Sequence, residues 1–595
     1  MEKPFSKDSK IIIIGAGIFG LSSALHLAEA GYRNIKVFDR LDFNQINYTF
    51  LEGADTASAD INKYFRIFYA DKIHYQKLAF EASEIWENWN KQVKFNIPKE
   101  LLNQFNSNPK IFERCGILRL DDVPGNPPEE KENLKSFSRE NLRATQYDLN
   151  NKDDIKRAKA TGWFKKLDPL GLKERNKVKY LSGVLDSTGG LLYASNACIY
   201  CKYLCEKLNV KFILGNEKGF IQELVYSKID PSLVTGIITK DKLKYKGDLV
   251  IMAAGPWSTK FIPQLDGINE ATSGTVVVLE VPQERQDLIH KYSPENFPIV
   301  SWKMGHSREK EYLGGFGLFP CYLYENYGKG IQDDTITGFK TNLKKPEKGI
   351  IKILTRQIKY TNPQIVKNSN NNDDDRVVSI PLTSNSGPFF EKRIVKYNLK
   401  QIKKFLTIAC PDLVLEPRVK IIATRLLWYT DTINNDFLFD YVPNTKNLIV
   451  TTGGSGHAFK FFPVLGRFTK ELVEGIKADE NYKINNIDDP KDFELPDELL
   501  FLETGDKNFK FDKWMLHNIF SWDNKLKSLK YDLDDLNGLK EGLRSKRNIK
   551  NQILSSFGSF DWSFGKNYAE ILKRVNEWTL NDKPDMEDKK LKPKL

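Results

Sequence analysis

Three cations sit where a soluble protein has little reason to place them: Lys63, Arg66 and Lys460. Lys460 lies between two phenylalanines in GHAFKFFPVLG, directly after the glycine-rich loop Gly453, Gly454, Gly456. A lysine there can snorkel outward from a helix face, but a buried charge is costly without a partner, so we read it as facing an anionic ligand. Lys63 and Arg66 are three residues apart, so on a helical turn they share a face, with Tyr69 one turn beyond Arg66. Their neighbours Tyr64, Phe65 and Phe68 make poor solvent surface. His457 fits a packed core histidine and a ligand contact equally well. The stretch TRLLWYTDT (Thr424 to Thr432) reads either as a buried strand or as one wall of a site.

These residues need a scaffold, and its first part is explicit. Ile11 to Ile14 form a continuous apolar run, as a strand buried on both faces requires. Gly15, Gly17 and Gly20 follow in the spacing G-x-G-x-x-G, then an Ala- and Leu-rich helix from Leu21 to Ala30, then a second strand ending at Asp39. Gly15 permits the tight turn, Gly17 admits a pyrophosphate, and Gly20 allows close helix–strand packing, with the phosphate charge at the helix N-terminus. An acid at Asp39 can bind ribose hydroxyls and favours FAD or NAD over NADP, without separating those two. Two later segments extend the same sheet. One is LVIMAAGPWS, whose apolar strand LVIMAA ends in Gly255 with Trp257 shielding the cofactor edge; the other is NLIVTTGGSGHAFKF.

The 595 residues exceed one hydrophobic core and predict two or more lobes. A content of 40% hydrophobic and 12% aromatic residues is that of a globular protein, and no run reaches the length of a membrane span. The net charge of +12 arises from 90 basic and 78 acidic residues that are interspersed. It predicts a lysine-rich surface, and with no basic-aromatic module present nucleic acid is not an expected partner. The N-terminus has no apolar signal region. Cys198, Cys201 and Cys205 have the spacing of one helix face and lack a nearby fourth ligand, so no metal is expected.

Taken together, GAGIFGLSSALHLAEAG, INKYFRIFYA, DLVIMAAGPWS and RLLWYTDTINNDFLFDYVPNTKNLIVTTGGSGHAFKFFPVLG give a chain that resembles the D-amino-acid-oxidase-like FAD oxidoreductases. Within them it is most similar to the branch of sarcosine, pipecolate, saccharopine and fructosyl amino acid oxidases. The resemblance implies FAD as cofactor, contacted by Gly15, Gly17, Ile18, Gly20, Asp39, Arg40, Asn62, Lys63, Gly255, Gly454, Gly456, His457 and Lys460. It implies Arg66 and Lys460 as a clamp on the substrate carboxylate, with Tyr69 beside them. Lys63 would lie close to the flavin and Tyr429 would line the substrate pocket, both as catalytic residues. Two cations on one carboxylate give charge-assisted bonds and orient the reacting Cα–H. The implied reaction oxidises the C–N bond of an N-substituted or cyclic secondary amino acid to an imine, with oxygen reduced to hydrogen peroxide.

The chain departs from that pattern at two places. Leu427 stands where many members carry a cysteine linked to the flavin, so noncovalent FAD is expected. The lysine thought to activate oxygen has only Lys329 as a loose counterpart. A dehydrogenase using another electron acceptor, or a flavin-binding interaction protein without turnover, are the alternatives.

The expected architecture is α/β, a Rossmann-type FAD-binding domain with an inserted mixed-sheet substrate domain and a mostly helical C-terminal extension. The FAD domain would comprise 1–70, 175–265 and 415–480, the substrate domain 71–174 and 266–414, and the extension 490–595, ending in a disordered tail. The terminal Pro593-Lys594-Leu595 approximates the Ser-Lys-Leu peroxisomal address, so a cytoplasmic or peroxisomal location is expected.

Overall fold

The protein is described by a computed structural model covering residues 5–50, 53–98, 101, 104–105, 109–175, 180–304, 314–324, 348–367, 375–383, 394–475, 507–534 and 546–548. Lys329 and the Pro593-Lys594-Leu595 terminus lie outside these residues.

The apolar run Lys10–Ile14 becomes the central strand of a six-stranded sheet. It pairs in parallel with Leu249–Met252 on one side and Asn34–Asp39 on the other. Leu448–Thr452 and Lys211–Leu214 extend the two sides in parallel, and Leu438–Tyr441 closes one edge antiparallel. Each face of the central strand is buried in a different apolar cluster, Ile11 and Ile13 in one and Ile12 and Ile14 in the other. That double burial is why the strand reads as unbroken isoleucine rather than as an alternation. The chain crosses sides of the sheet at this strand, and open α/β sheets leave a crevice at such a point.

Glycine is required at the turn that follows. Gly15 has φ +107°, and a Cβ there would lie 2.3 Å from the Ala253 carbonyl oxygen. At Gly20 a Cβ would lie 1.8 Å from the Gly15 carbonyl oxygen. The helix Ile18–Glu29 thereby sits directly against its own strand. Its outer side packs on the helix Phe462–Val473, where Ser22 donates to the Phe462 carbonyl (2.6 Å) and accepts from the Gly466 amide (2.7 Å). Cys198, Cys201 and Cys205 are fully buried in the same core, on the helix Ala194–Lys207.

The second sheet is ten-stranded and mixed. Its edge strand Lys420–Thr432 contains the TRLLWYTDT stretch and runs antiparallel to Asn269–Val281, which in turn pairs with Lys348–Thr361. Strand alternation assigns the two sides of the edge strand. Leu426 and Trp428 enter the large apolar core of this lobe, whereas Leu427 and Tyr429 face a small cluster with Phe50, Tyr193 and Val276. The strand is therefore both core and wall, one face each. The α/β class, with its Rossmann-type unit and mixed second sheet, is as the sequence predicts.

One local expectation changes. Lys63–Phe65 is a short strand paired antiparallel with Gly190–Leu192, not a helical turn. Lys63 and Arg66 therefore do not share a face, and they line different cavities. The extension contributes two helices to the described residues, Lys507–Asn518 and Trp522–Asp534.

The Gly20 contact yields a test. Gly20→Ala should destabilise the fold by about 1–3 kcal/mol through overpacking against the Gly15 carbonyl, seen as a lower thermal midpoint. A midpoint equal to that of the parent would rule out the tight strand–helix approach.

Candidate active site

A cavity of about 410 Å³ opens at the C-terminal ends of the nucleotide-type sheet and continues to the face of the second sheet. At one end it is lined by Gly15, Gly17, Ile18, Asp39 and Arg40. Asp39 accepts the Ala16 amide at 2.8 Å and the Leu41 amide at 2.9 Å, which fixes its carboxylate at the strand end. Burial raises its pKa, and those two amides oppose the rise. Arg40 pairs with Asp55 and covers the Trp257 ring at 4.8 Å. Gly255 and Trp257 form the neighbouring wall.

The inner part of the cavity is cationic. Asp60 is fully buried and holds two lysines at once, Lys63 at 2.8 Å and Lys352 at 3.1 Å. Burial opposes its charge, but Lys352, Lys63 and Arg425 outweigh this and hold its pKa down at about 2. Lys352 is itself buried, and burial lowers its pKa to about 8 despite the attraction of Asp60. Its ammonium also donates to the Asn62 carbonyl. Asn62 is buried and does not line the cavity; its Oδ1 has no partner among the described residues.

A second cationic group surrounds Tyr69. Lys460 donates to the Tyr69 hydroxyl at 2.8 Å and to the His457 carbonyl at 2.6 Å. Tyr69 Oη lies 3.0 Å from His457 Nδ1, and His457 Nε2 lies 2.9 Å from the Asn435 carbonyl. A carbonyl only accepts, so Nε2 carries the proton, Nδ1 accepts from Tyr69, and Tyr69 accepts from Lys460. Burial, with Lys460 adding to it, holds the His457 pKa well below its usual value, so the ring is neutral. Arg66 covers the other side of Tyr69, 4.2 Å from the ring centroid, and its buried Nε has no hydrogen-bond partner among the described residues. Arg66 lines a neighbouring cavity of about 390 Å³ that shares Tyr64, Phe319, Leu354 and Arg356 with the first.

Neither Lys460 nor Arg66 forms an ion pair with a carboxylate among the described residues. Burial lowers the Lys460 pKa well below its usual value, and the charges of Arg66 and Arg356 lower it further. Arg356 completes this group. It donates from Nε to the Tyr429 hydroxyl at 2.6 Å and stacks on that ring at 4.2 Å. A Cβ at Gly456 (φ +70°) would lie 1.6 Å from its Nη1, so glycine is needed there to admit the guanidinium. Gly454, His457 and Lys460 line the same wall of the first cavity, and Leu427 and Tyr429 face them. Thr430 Oγ1 accepts both the Gly453 and Gly454 amides at 3.1 Å and ties the glycine loop to the edge strand.

Sequence reading did not find Asp60, Lys352 or Arg356. Two of them, Lys352 and Arg356, have a signal in hindsight. In GIIKILTRQ, Lys352 and Arg356 fall on alternate positions with Leu354, opposite the buried Ile351 and Ile353. A cation repeated at period two in an apolar strand marks a face that meets polar groups.

Comparison with known proteins matches residues 10–472 to a family model described as DAO, FAD dependent oxidoreductase. The chain is 25% identical over 483 residues to L-saccharopine oxidase of Schizosaccharomyces pombe, covering 79% of this chain and 91% of that protein. It is 22% identical to peroxisomal sarcosine oxidase of Homo sapiens, covering 78% and 91%. Among solved structures, fructosyl peptide oxidase from E. terrenum superposes with a TM-score of 0.58 at 22% identity, covering 79% of this chain and 90% of that one.

Lys352 predicts a pH signature. With Asp60 ionised throughout, the inner cavity loses one positive charge as pH rises through about 8, because Lys352 goes from ammonium to amine. Absorbance of the bound cofactor should titrate with a midpoint near that pH, and Lys352→Met should abolish the transition. A transition that survives the substitution would assign it to another group.

Proposed function

The chain belongs to the FAD-dependent oxidoreductase family, and from that premise we propose that it oxidises the C–N bond of an N-substituted or cyclic secondary amino acid to an imine, with oxygen reduced to hydrogen peroxide. The observation that carries the reading is the group of buried Lys460 with the half-buried Arg66 and Arg356, gathered around Tyr69 and Tyr429, with Asp431, 3.7 Å from Arg356, as the only carboxylate paired with any of them among the described residues. A desolvated lysine beside two guanidiniums is favourable only when an anion joins them, and a substrate carboxylate supplies that anion. The names of the saccharopine and sarcosine oxidases support the same substrate class.

The residues present fit FAD. Gly15 and Gly17 leave backbone open at a helix N-terminus, where a side chain would fill the space, and Asp39 presents a fixed carboxylate one strand away. We assign the pyrophosphate to that helix end, a ribose to Asp39, and the remainder of the cofactor to the cavity bounded by Arg40, Trp257, Lys63, Lys352 and Gly454. Bound there, FAD supplies the two-electron acceptor.

The side chains would contribute as follows. Arg66 and Lys460 bind the carboxylate, and Tyr69 holds both cations in register. Arg356 fixes Tyr429 in the pocket wall. Burial raises the Tyr429 pKa to about 12, so its hydroxyl stays protonated and can donate to the substrate. The same positive charge lowers the pKa of a substrate amine between these groups and favours the neutral amine, the form with a free electron pair. Lys352, whose pKa burial lowers to about 8, is our candidate for the proton-transferring lysine during reoxidation, in place of the loosely fitting Lys329. Leu427 offers no thiolate, which supports dissociable FAD.

Anaerobic mixing with pipecolate, saccharopine, sarcosine and fructosyl-lysine should bleach the yellow protein with at least one of them, and air should restore the colour promptly. Bleaching by none would overturn the proposal, and slow recolouring would favour another electron acceptor. Arg66→Ala and Lys460→Ala should each weaken substrate affinity by roughly tenfold to a hundredfold, the loss of a charged hydrogen bond worth about 1.5–3 kcal/mol. Acid precipitation should leave the flavin in the supernatant; colour in the pellet would exclude noncovalent attachment.

A further inference from the structure

The family match ends at residue 472, yet the helices Lys507–Asn518 and Trp522–Asp534 pack against the back of the carboxylate-binding group. Phe520, between them, is fully buried against Phe437 (5.4 Å), Phe439 (5.4 Å) and Phe468 (5.0 Å). Its carbonyl accepts the Phe439 amide at 3.0 Å, and the Trp522 amide donates to Asp440 at 3.0 Å. Arg467 reaches both Glu81 and Asp512, joining the first helix of the pair to the FAD-side helices.

The contacts converge on one turn, Asn434–Asp436. Asn434 donates to Asn524. Asp436 accepts from Tyr75 at 3.0 Å and pairs with Lys72 at 3.3 Å. Lys525 is fully buried and donates to the Ile519 carbonyl at 2.9 Å, and burial lowers its own pKa to about 7; the charges of Lys72 and Lys525, with the Tyr75 hydrogen bond among the other contributions, hold the Asp436 pKa down against burial. Between these two anchored residues lies Asn435, in the left-handed region (φ +61°), whose carbonyl accepts from His457 at 2.9 Å. From there the hydrogen bonds continue through Tyr69 to Lys460.

We propose that the C-terminal helix pair is a positioning element for the carboxylate clamp, with Asn524 and Lys525 fixing the Asn434–Asp436 turn and thereby the His457–Tyr69–Lys460 chain. This rests on the reading of Lys460 and Arg66 as carboxylate ligands. The turn has its inner side committed to the site and its outer side committed to the extension. Loosening the outer side lets the Asn435 carbonyl move, and with it the proton donor direction that sets Tyr69.

The probe is picolinate, which carries a carboxylate beside a ring nitrogen but no oxidisable Cα–H. Its dissociation constant is read from flavin absorbance in the full-length holoprotein. Asn524→Ala and Lys525→Met should each raise that constant about fivefold or more, a typical size for coupling through a network. KM for the bleaching substrate should rise likewise while the limiting bleaching rate changes little, and Lys525→Arg should restore affinity. Asn524→Ala removes two partly buried hydrogen bonds, the one accepted from Asn434 and the one donated to the Asn518 carbonyl, and is the variant to rely on if Lys525→Met fails to fold. Parental picolinate affinity in Asn524→Ala, with Arg66→Ala weakened, would overturn the positioning role and leave the clamp standing. No picolinate binding by the parent, or parental affinity in Arg66→Ala, would overturn the clamp and this inference with it.

Discussion

The candidate site is organised around an imbalance of charge in a largely desolvated region. One carboxylate, Asp60, holds Lys63 and Lys352, while Arg66, Lys460 and Arg356 gather around two tyrosines with far less anionic compensation. Buried cations without counter-charge repel one another and lose solvation, so such an arrangement survives only if the surrounding fold fixes it. The Tyr69 and Tyr429 hydroxyls and the His457 carbonyl accept from Lys460 and Arg356, and the remaining positive field is available to whatever enters.

That field explains how side chains of similar type hold different protons. Lys352 keeps a nearby carboxylate and has its pKa lowered by burial to about 8, whereas Lys460 donates only to a phenol and a carbonyl and is lowered by burial and by the charges of Arg66 and Arg356. His457, fixed between a phenol and a carbonyl, serves as a directional link and not as an acid. Environment, more than residue type, sets these roles.

Two sheets of different logic meet at the cavity. The parallel sheet contributes backbone, through glycines whose lack of Cβ keeps its C-terminal edge open. The mixed sheet contributes side chains, because alternation turns Leu427, Tyr429, Lys352 and Arg356 toward the cavity and Leu426, Trp428, Ile351 and Ile353 toward the core. A one-residue slip of either strand would exchange the two sets. The long antiparallel pairing of Asn269–Val281 with both neighbours opposes such a slip.

The sequence by itself determined the nucleotide half. Its glycines, apolar strand and terminal acid are consecutive, and each is required by local backbone geometry, so Gly15, Gly17 and Asp39 were legible without any partner in view. The same holds for Lys460, a charge conspicuous among phenylalanines after a glycine loop. Only the tertiary structure decided the rest. The three-residue spacing of Lys63 and Arg66 suggested a shared helical face, but pairing of Lys63–Phe65 with Gly190–Leu192 made a strand and sent the two side chains to different cavities. Asp60, Lys352 and Arg356 come from segments about 290 residues apart in sequence. Their approach depends on which strands pair, and long-range pairing is set by the burial of whole sheets; the alternation around Lys352 and Arg356 marks a polar face but does not say which segment that face meets.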